Sequence, residues 1–196
     1  FTHYLRILFL QEKSIGMMDP NLKAKLNQIK LIISDVDGIL TDGSMIIGDG
    51  IELKQFTVED GAGAAFSRLA GIPIALISGR YSKATEIRAN EMKIEHCYQG
   101  SLDKLTPFSE ICEFYKVSAH EVAYIGDGLI DIPVMEKVEI SVTVPHAHPL
   151  VKEVAVHETK LSGGQGVLRE VVEWILNAQG RHKEVLEKMR KNIYKA

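Results

Sequence analysis

Apolar residues in this chain fall in short unbroken runs separated by longer stretches of mixed polarity. Lys30-Leu31-Ile32-Ile33 ends in one such run. Pro73-Ile74-Ala75-Leu76-Ile77 and Val122-Ala123-Tyr124-Ile125 hold others, and Ile140 to Val144 reads as a further strand. Runs this short, rich in β-branched side chains and closed by turn residues, predict strands buried on both faces. Helical spacing fills the intervals: residues 21–29, 59–70 closing at Gly71, 82–92, 102–115 despite Pro107, and 167–179 before Gly180. A further short strand is expected near His96 to Tyr98. Met45-Ile46-Ile47 and Glu52-Leu53-Lys54-Gln55-Phe56 flank Gly48-Asp49-Gly50, the signature of a β-hairpin. Strands alternating with helices predict an α/β, Rossmann-like, doubly wound parallel sheet with helices on both faces.

Composition narrows the setting. The chain has 196 residues, 45% of them apolar and 25% charged, which suits one globular domain. A formal charge of −3 without a basic stripe argues against a nucleic-acid partner. No run approaches the roughly 18 apolar residues of a membrane span, so no membrane partner is expected. Cys97 and Cys112 lack metal-ligand spacing and read as free thiols of a cytoplasmic protein. The expected organisation is an N-terminal extension over residues 1–17, a domain over 18–180 and a C-terminal tail over 181–196.

The chemistry gathers where the apolar runs stop. Ser34-Asp35-Val36-Asp37-Gly38 follows the first run, and side chains two apart in an extended chain share a face. Two carboxylates so placed repel unless a cation or shared proton relieves them, which points to a hard divalent metal and phosphate chemistry. The bland alternative is an ordinary turn of Asp and Gly. It weakens because other runs end in Ser78-Gly79-Arg80 and Gly126-Asp127-Gly128, with Lys104 after the His96 strand. In doubly wound sheets the carboxyl ends of strands form the ligand crevice. A carboxylate can attack phosphorus without an activating base, and a second can serve as general acid and base. Ser78 and Lys104 are candidates to hold phosphoryl oxygens.

Asp35-Val36-Asp37-Gly38, Ser78-Gly79-Arg80, Lys104 and Gly126-Asp127-Gly128-Leu129-Ile130-Asp131 resemble the four motifs of the haloacid dehalogenase superfamily of phosphohydrolases. The resemblance covers about Lys30 to Gly180, including Tyr98-Gln99-Gly100, Ala147-His148-Pro149-Leu150 and Gly163-Gly164-Gln165-Gly166. It implies that Asp35 is the nucleophile and Asp37 the general acid and base. It also implies Mg²⁺ held by Asp35, Asp127 and the main-chain carbonyl of Asp37, with Asp131 supporting from a second shell. Ser78, Gly79 and Lys104 would bind phosphate. Thr57, Val58, Glu59, Asp60, Gly61, Arg80 and Arg88 match positions that contact a phosphorylated sugar acid. The hairpin stands where larger members insert a cap domain, so no separate cap is expected. Its apolar side chains call for cover by copies from other subunits, and the resemblance implies a homotetramer with hairpins gathered centrally and a tail that reaches a neighbour's site.

Two positions depart from the family pattern: Gly128 where a second Asp is frequent, and Glu59 where Arg is common. Arg80 favours an eight-carbon sugar acid of lipopolysaccharide biosynthesis over a nine-carbon one. Two readings of other classes stand beside the phosphatase: a non-catalytic oligomerisation module and a phospho-receiver domain. Intact motifs argue against the first, and the hairpin with Gly126-Asp127 against the second. His146-Ala147-His148 reads as loop rather than a zinc pair, and Trp174 as packing.

Overall fold

The computed structural model describes residues 19–193; the expected extension over residues 1–17 lies outside them. Helix α1 (Pro20–Asn27) leads into β1 (Leu31–Ser34), and the hairpin β2 (Ile46–Gly48) and β3 (Ile51–Leu53) follows. Next come α2 (Val58–Leu69), β4 (Ile74–Ser78), α3 (Lys83–Glu91), β5 (His96–Gln99) and α4 (Leu105–Tyr115). The remaining elements are β6 (Val122–Ile125), α5 (Ile132–Met135), β7 (Ile140–Thr143), α6 (Pro149–Val154), β8 (His157–Glu158), α7 (Val167–Ala178) and α8 (His182–Ile193).

Six strands form one parallel sheet in the order β5-β4-β1-β6-β7-β8, while β2 and β3 pair antiparallel apart from it. Right-handed crossovers running left from β1 and then right from β5 put their helices on opposite faces. β1, β4, β6 and β7 are buried along their whole length, as strands covered on both faces are, and the Ser141 and Thr143 hydroxyls of β7 donate to the Val154 and Gly126 carbonyls. Helix α7 lays Val167, Leu168, Val171, Val172, Ile175 and Leu176 into the core as one stripe and packs chiefly on α2.

Four elements differ from the sequence expectation. Helix α4 begins at Leu105 rather than 102 because the Asp103 side chain accepts from the Leu105 N–H at 3.0 Å and from the Thr106 hydroxyl at 2.6 Å. Pro107 then falls in the first turn, where a missing N–H costs nothing. The short α5, α6 and β8 lie below the length at which periodicity is readable. Over His182–Ile193 the C-terminal segment is a helix that packs on α2 and α7 of its own chain. Val185 is buried in the core there, so this part is held by its own apolar face.

Candidate active site

The chain leaves β1 at the point where the strand order reverses, between β4 and β6. Ser34 pairs with Leu76 on one side and Ile125 on the other, and the Asp35 N–H still donates to the Ile125 carbonyl at 2.8 Å. Val36, Ile39 and Leu40 then turn back into the core, with the Leu40 N–H on the Val36 carbonyl at 2.9 Å. Three buried apolar anchors therefore fix a polar loop. Gly38 adopts φ +88°, and a Cβ there would lie 2.1 Å from Asp127 Oδ2, so glycine is what lets the β1 and β6 loops close on each other. From the other side, a Cβ on Gly163 would stand 1.9 Å from the Gly38 carbonyl oxygen, and the Gly164 N–H donates to the Ile39 carbonyl at 3.0 Å. The glycine-rich segment Gly163-Gly164-Gln165-Gly166, which leads into α7, also braces the Asp35 loop.

Asp35 is almost fully buried. Its Oδ1 accepts from the Val36 N–H at 2.6 Å, and its Oδ2 lies 2.9 Å from Lys104 Nζ. The same ammonium is 2.6 Å from Asp131 Oδ1, and the Lys104 side chain has no exposed surface. Burial raises the Asp35 carboxyl to about 7; the Asp131 carboxylate adds to this and Lys104 only partly offsets it. For Lys104, burial works against the charge, but Asp35 and Asp131 outweigh it and hold the ammonium above its ordinary value. Burial and then Asp131 raise Asp127 to about 6. Carboxylate oxygens of Asp35, Asp127 and Asp131 lie within 4.8 Å of one another. An all-oxygen donor set with buried like charges suits a hard divalent cation.

Asp131 is already engaged on both oxygens. Oδ1 accepts from Lys104 and, at 2.6 Å, from the Tyr124 hydroxyl; Oδ2 accepts from the Asp127 and Gly128 N–H groups at 3.2 and 2.9 Å. That leaves Asp35 and Asp127 as the freer carboxylates and Asp131 as the brace behind them. Gly128, where the family pattern often has Asp, contributes through its backbone. His148 donates its N–H to the Asp127 carbonyl at 3.2 Å while its ring caps α6, accepting from Leu150. Among the described residues no histidine joins the carboxylate cluster.

The other candidate residues have local partners of their own. Asp37 is paired with Lys54, at 2.7 and 2.9 Å from its two oxygens. Ser78, buried at the end of β4, donates to the Arg80 carbonyl at 2.9 Å and accepts from its N–H at 3.2 Å. Gly79 packs so closely on Ile130 that a Cβ would stand 2.7 Å from its Cδ1. Arg80 is half exposed and pairs with Glu52 at 2.9 Å. Arg88 donates to the Thr57 carbonyl at 2.8 Å and lies against Gly61. Thr57 caps α2, Val58 is exposed, and Glu59 pairs with Arg169 of α7 at 2.8 Å, so the reversed charge meets a cation.

Asp60, read among the sugar contacts, is buried with Oδ1 accepting from the Leu168 N–H at 3.0 Å. Burial raises it to about 6 despite that contact and the Arg169 N–H. It caps α7 and bears on the site through that helix. Lys54, Thr85, Tyr124 and the Thr41 hydroxyl, which accepts from Gly43 N–H at 3.1 Å, were not singled out in the sequence. Alternation along Glu52-Leu53-Lys54 does put Lys54 on the side of the strand opposite the apolar Leu53.

A family model described as haloacid dehalogenase-like hydrolase matches residues 75–171, a span holding Ser78, Lys104, Asp127 and Asp131. The 3-deoxy-D-manno-octulosonate 8-phosphate phosphatase of Salmonella typhimurium is 44% identical over 170 residues, 86% of this chain and 90% of its own. The crystal structure of the Yersinia pestis phosphatase of that name aligns with TM-score 0.83 and 41% identity, over 85% of this chain and 90% of the other. That of Moraxella catarrhalis, in complex with a magnesium ion, a phosphate ion and a KDO molecule, aligns with TM-score 0.84 and 35% identity, over 88% and 99%.

Proposed function

The chain belongs to the haloacid dehalogenase-like hydrolases, and on that premise we propose how its residues hydrolyse a sugar-acid phosphate. It is a Mg²⁺-dependent phosphatase acting on 3-deoxy-D-manno-octulosonate 8-phosphate, an activity of lipopolysaccharide biosynthesis. The observation that carries the catalytic reading is Asp35 at the carboxyl end of β1, held by buried Lys104 at 2.9 Å beside Asp127.

In this reading an Asp35 carboxylate oxygen attacks phosphorus in line with the departing sugar oxygen. Asp37 gives that oxygen its proton, and the P–O bond breaks to leave an aspartyl-phosphate. Asp37 then takes a proton from water, whose oxygen attacks phosphorus and restores Asp35. Lys104 has three N–H donors; two face Asp35 and Asp131, and the third is directed to a phosphoryl oxygen together with Ser78 and the Gly79 backbone. The carboxylates of Asp35 and Asp127 and the Asp37 carbonyl would hold Mg²⁺, which supplies neutralisation of phosphoryl charge. Arg80 and Arg88, with Thr57 to Gly61, are assigned to the sugar acid on the family resemblance.

Phosphate release from a panel of sugar phosphates, with Mg²⁺ and with a chelator, tests the function. The eight-carbon substrate should be preferred and the chelator should abolish turnover; preference for a nine-carbon acid phosphate would overturn the assignment. In the same panel Arg80→Ala should lose on the order of 1.5–3 kcal/mol in kcat/KM on the sugar acid, and much less on an aryl phosphate.

The raised carboxyls of Asp35 and Asp127 give a second test. Because both bind protons more tightly folded than unfolded, the metal-free protein should lose stability as pH rises from about 4 through 7. A divalent cation binds the ionised forms, so the Mg²⁺-induced rise in Tm should be small near pH 5.5 and large at pH 8. Equal rises at both would remove these two as ligands.

We further propose a homotetramer with hairpins packed together in a cytoplasmic setting. Its support is the exposed apolar side chains of the hairpin: Ile46, Ile51 and Leu53 share one face at 69%, 59% and 54% exposure, and Ile47 on the other is 70% exposed. Light scattering at micromolar concentration should give a tetramer mass, and a monomer with full activity would refute it. Cys97 and Cys112 are free thiols that burial holds up at about 11, in keeping with a reducing compartment. Cell fractionation checks the compartment.

A further inference from the structure

The hairpin strands are largely exposed, yet at the exit of the hairpin one side chain is wholly buried. Lys54, one position past β3, has no exposed side-chain surface. Its ammonium lies 2.7 and 2.9 Å from the two oxygens of Asp37, 3.3 Å from Thr85 Oγ1 on α3, and 4.0 Å from Glu52. Fully buried lysines are rare unless paired, and this one is spent on a single carboxylate of the loop after β1. Lys104 is engaged elsewhere, with Asp35 and Asp131. Two aspartates two positions apart thus have separate lysines, delivered by different elements. Asp37 is partly exposed, with 23% of its side chain accessible. A carboxylate on such a loop has several rotamers open to it; a cation contacting both oxygens selects one. Thr85, itself buried, fixes the cation in turn.

We infer that Lys54 is a positioning residue for proton transfer: it holds the Asp37 carboxyl in its working orientation and makes that orientation depend on the hairpin being docked. This rests on the reading of Asp37 as the group that gives a proton to the leaving oxygen and regains one from water. Lys54 itself neither gives nor takes a proton. Its contribution is to geometry, where a displacement of about 1 Å is enough to cost on the order of 10²-fold in rate. A salt link between Glu52 and Arg80 ties the same hairpin to the loop after β4, so the hairpin spans the two sides of the site.

The test is a double-mutant cycle on the full chain with saturating Mg²⁺, using Lys54→Met, Lys54→Arg, Asp37→Asn and Lys54→Met/Asp37→Asn. Lys54→Met should lower kcat about 10- to 100-fold, part of the 10²–10⁴ that proton transfer contributes, with KM little changed. Lys54→Arg, which keeps the cation, should fall between it and wild type. In the Asp37→Asn background, Lys54→Met should cost nothing further, because nothing is left to position. Wild-type kcat in Lys54→Met would overturn the inference. So would the full loss recurring in the Asp37→Asn background, the pattern that a general folding defect produces. A fully active Asp37→Asn would instead overturn the reading of Asp37, and is seen from that single variant alone.

Discussion

Asp35→Asn should leave a folded protein with no measurable turnover of any phosphate ester, a loss of at least about 10³-fold. The substitution keeps the shape and an oxygen to accept from the Val36 N–H, so the 2.6 Å contact that orients the side chain survives. What disappears is the charge and lone pair that attack phosphorus. Stability gives a separate prediction of opposite sign. Ionised Asp35 is buried beside Asp131 and its carboxyl is raised, so above about pH 7 its charge costs the folded state. Lys104 keeps Asp131 as partner at 2.6 Å after the change. In chelator at pH 8 the variant should therefore melt no lower than the wild type. Phosphate release and thermal melts on one preparation check both. Wild-type-like turnover would sink the nucleophile assignment, and a variant that is inactive only because it is unfolded would show in the melt.

The centre of the sheet was legible because β1, β4 and β6 are built on apolar runs and their chemistry sits at the ends. β1, β4 and β6 stop where Asp35, Ser78 and Gly126-Asp127 begin, so local pattern and site coincide. Lys54 was not legible, since only tertiary packing says that the end of an exposed hairpin reaches Asp37 across 17 positions of chain. Tyr124 reads as one more apolar residue of β6, yet its hydroxyl braces Asp131 at 2.6 Å. Asp60 shows the reverse case. Its position beside Thr57 and Glu59 suggests a substrate contact, while its carboxylate caps α7 over 108 positions away. The charge of the C-terminal segment is visible in sequence, whereas the burial of Val185 follows from packing against α7 nearby and α2 more than a hundred residues earlier. Helix ends such as Asp103 before α4 are local and were available, but Pro107 obscured them.

Lys104→Met should cost both stability and activity, and its pH dependence separates the two. The methionine is close to the apolar stem in size, so packing beside α4 is kept and the change removes little besides charge and N–H groups. That charge is what allows Asp35 and Asp131 to lie buried against one ammonium, 2.9 and 2.6 Å away. Removing one member of a buried ionic cluster leaves the others uncompensated, typically a loss of about 3–5 kcal/mol. The remaining carboxylates relieve this by binding protons. Asp35, already raised to about 7 by burial and by Asp131, should rise further without the lysine. A carboxyl raised in the folded state stabilises it most where it is protonated, so the deficit should shrink as pH falls from 8 towards 5. In chelator, Tm differences between variant and wild type at pH 8 and pH 5.5 measure this. At pH 8 with Mg²⁺, where the metal restores part of the lost positive charge, the folded variant should still turn over at least about 10²-fold more slowly, since a phosphoryl oxygen has lost its cation. A Tm deficit that is equal at both pH values would mean that Lys104 matters by packing, and a kcat within a few-fold of wild type would remove it from phosphate binding.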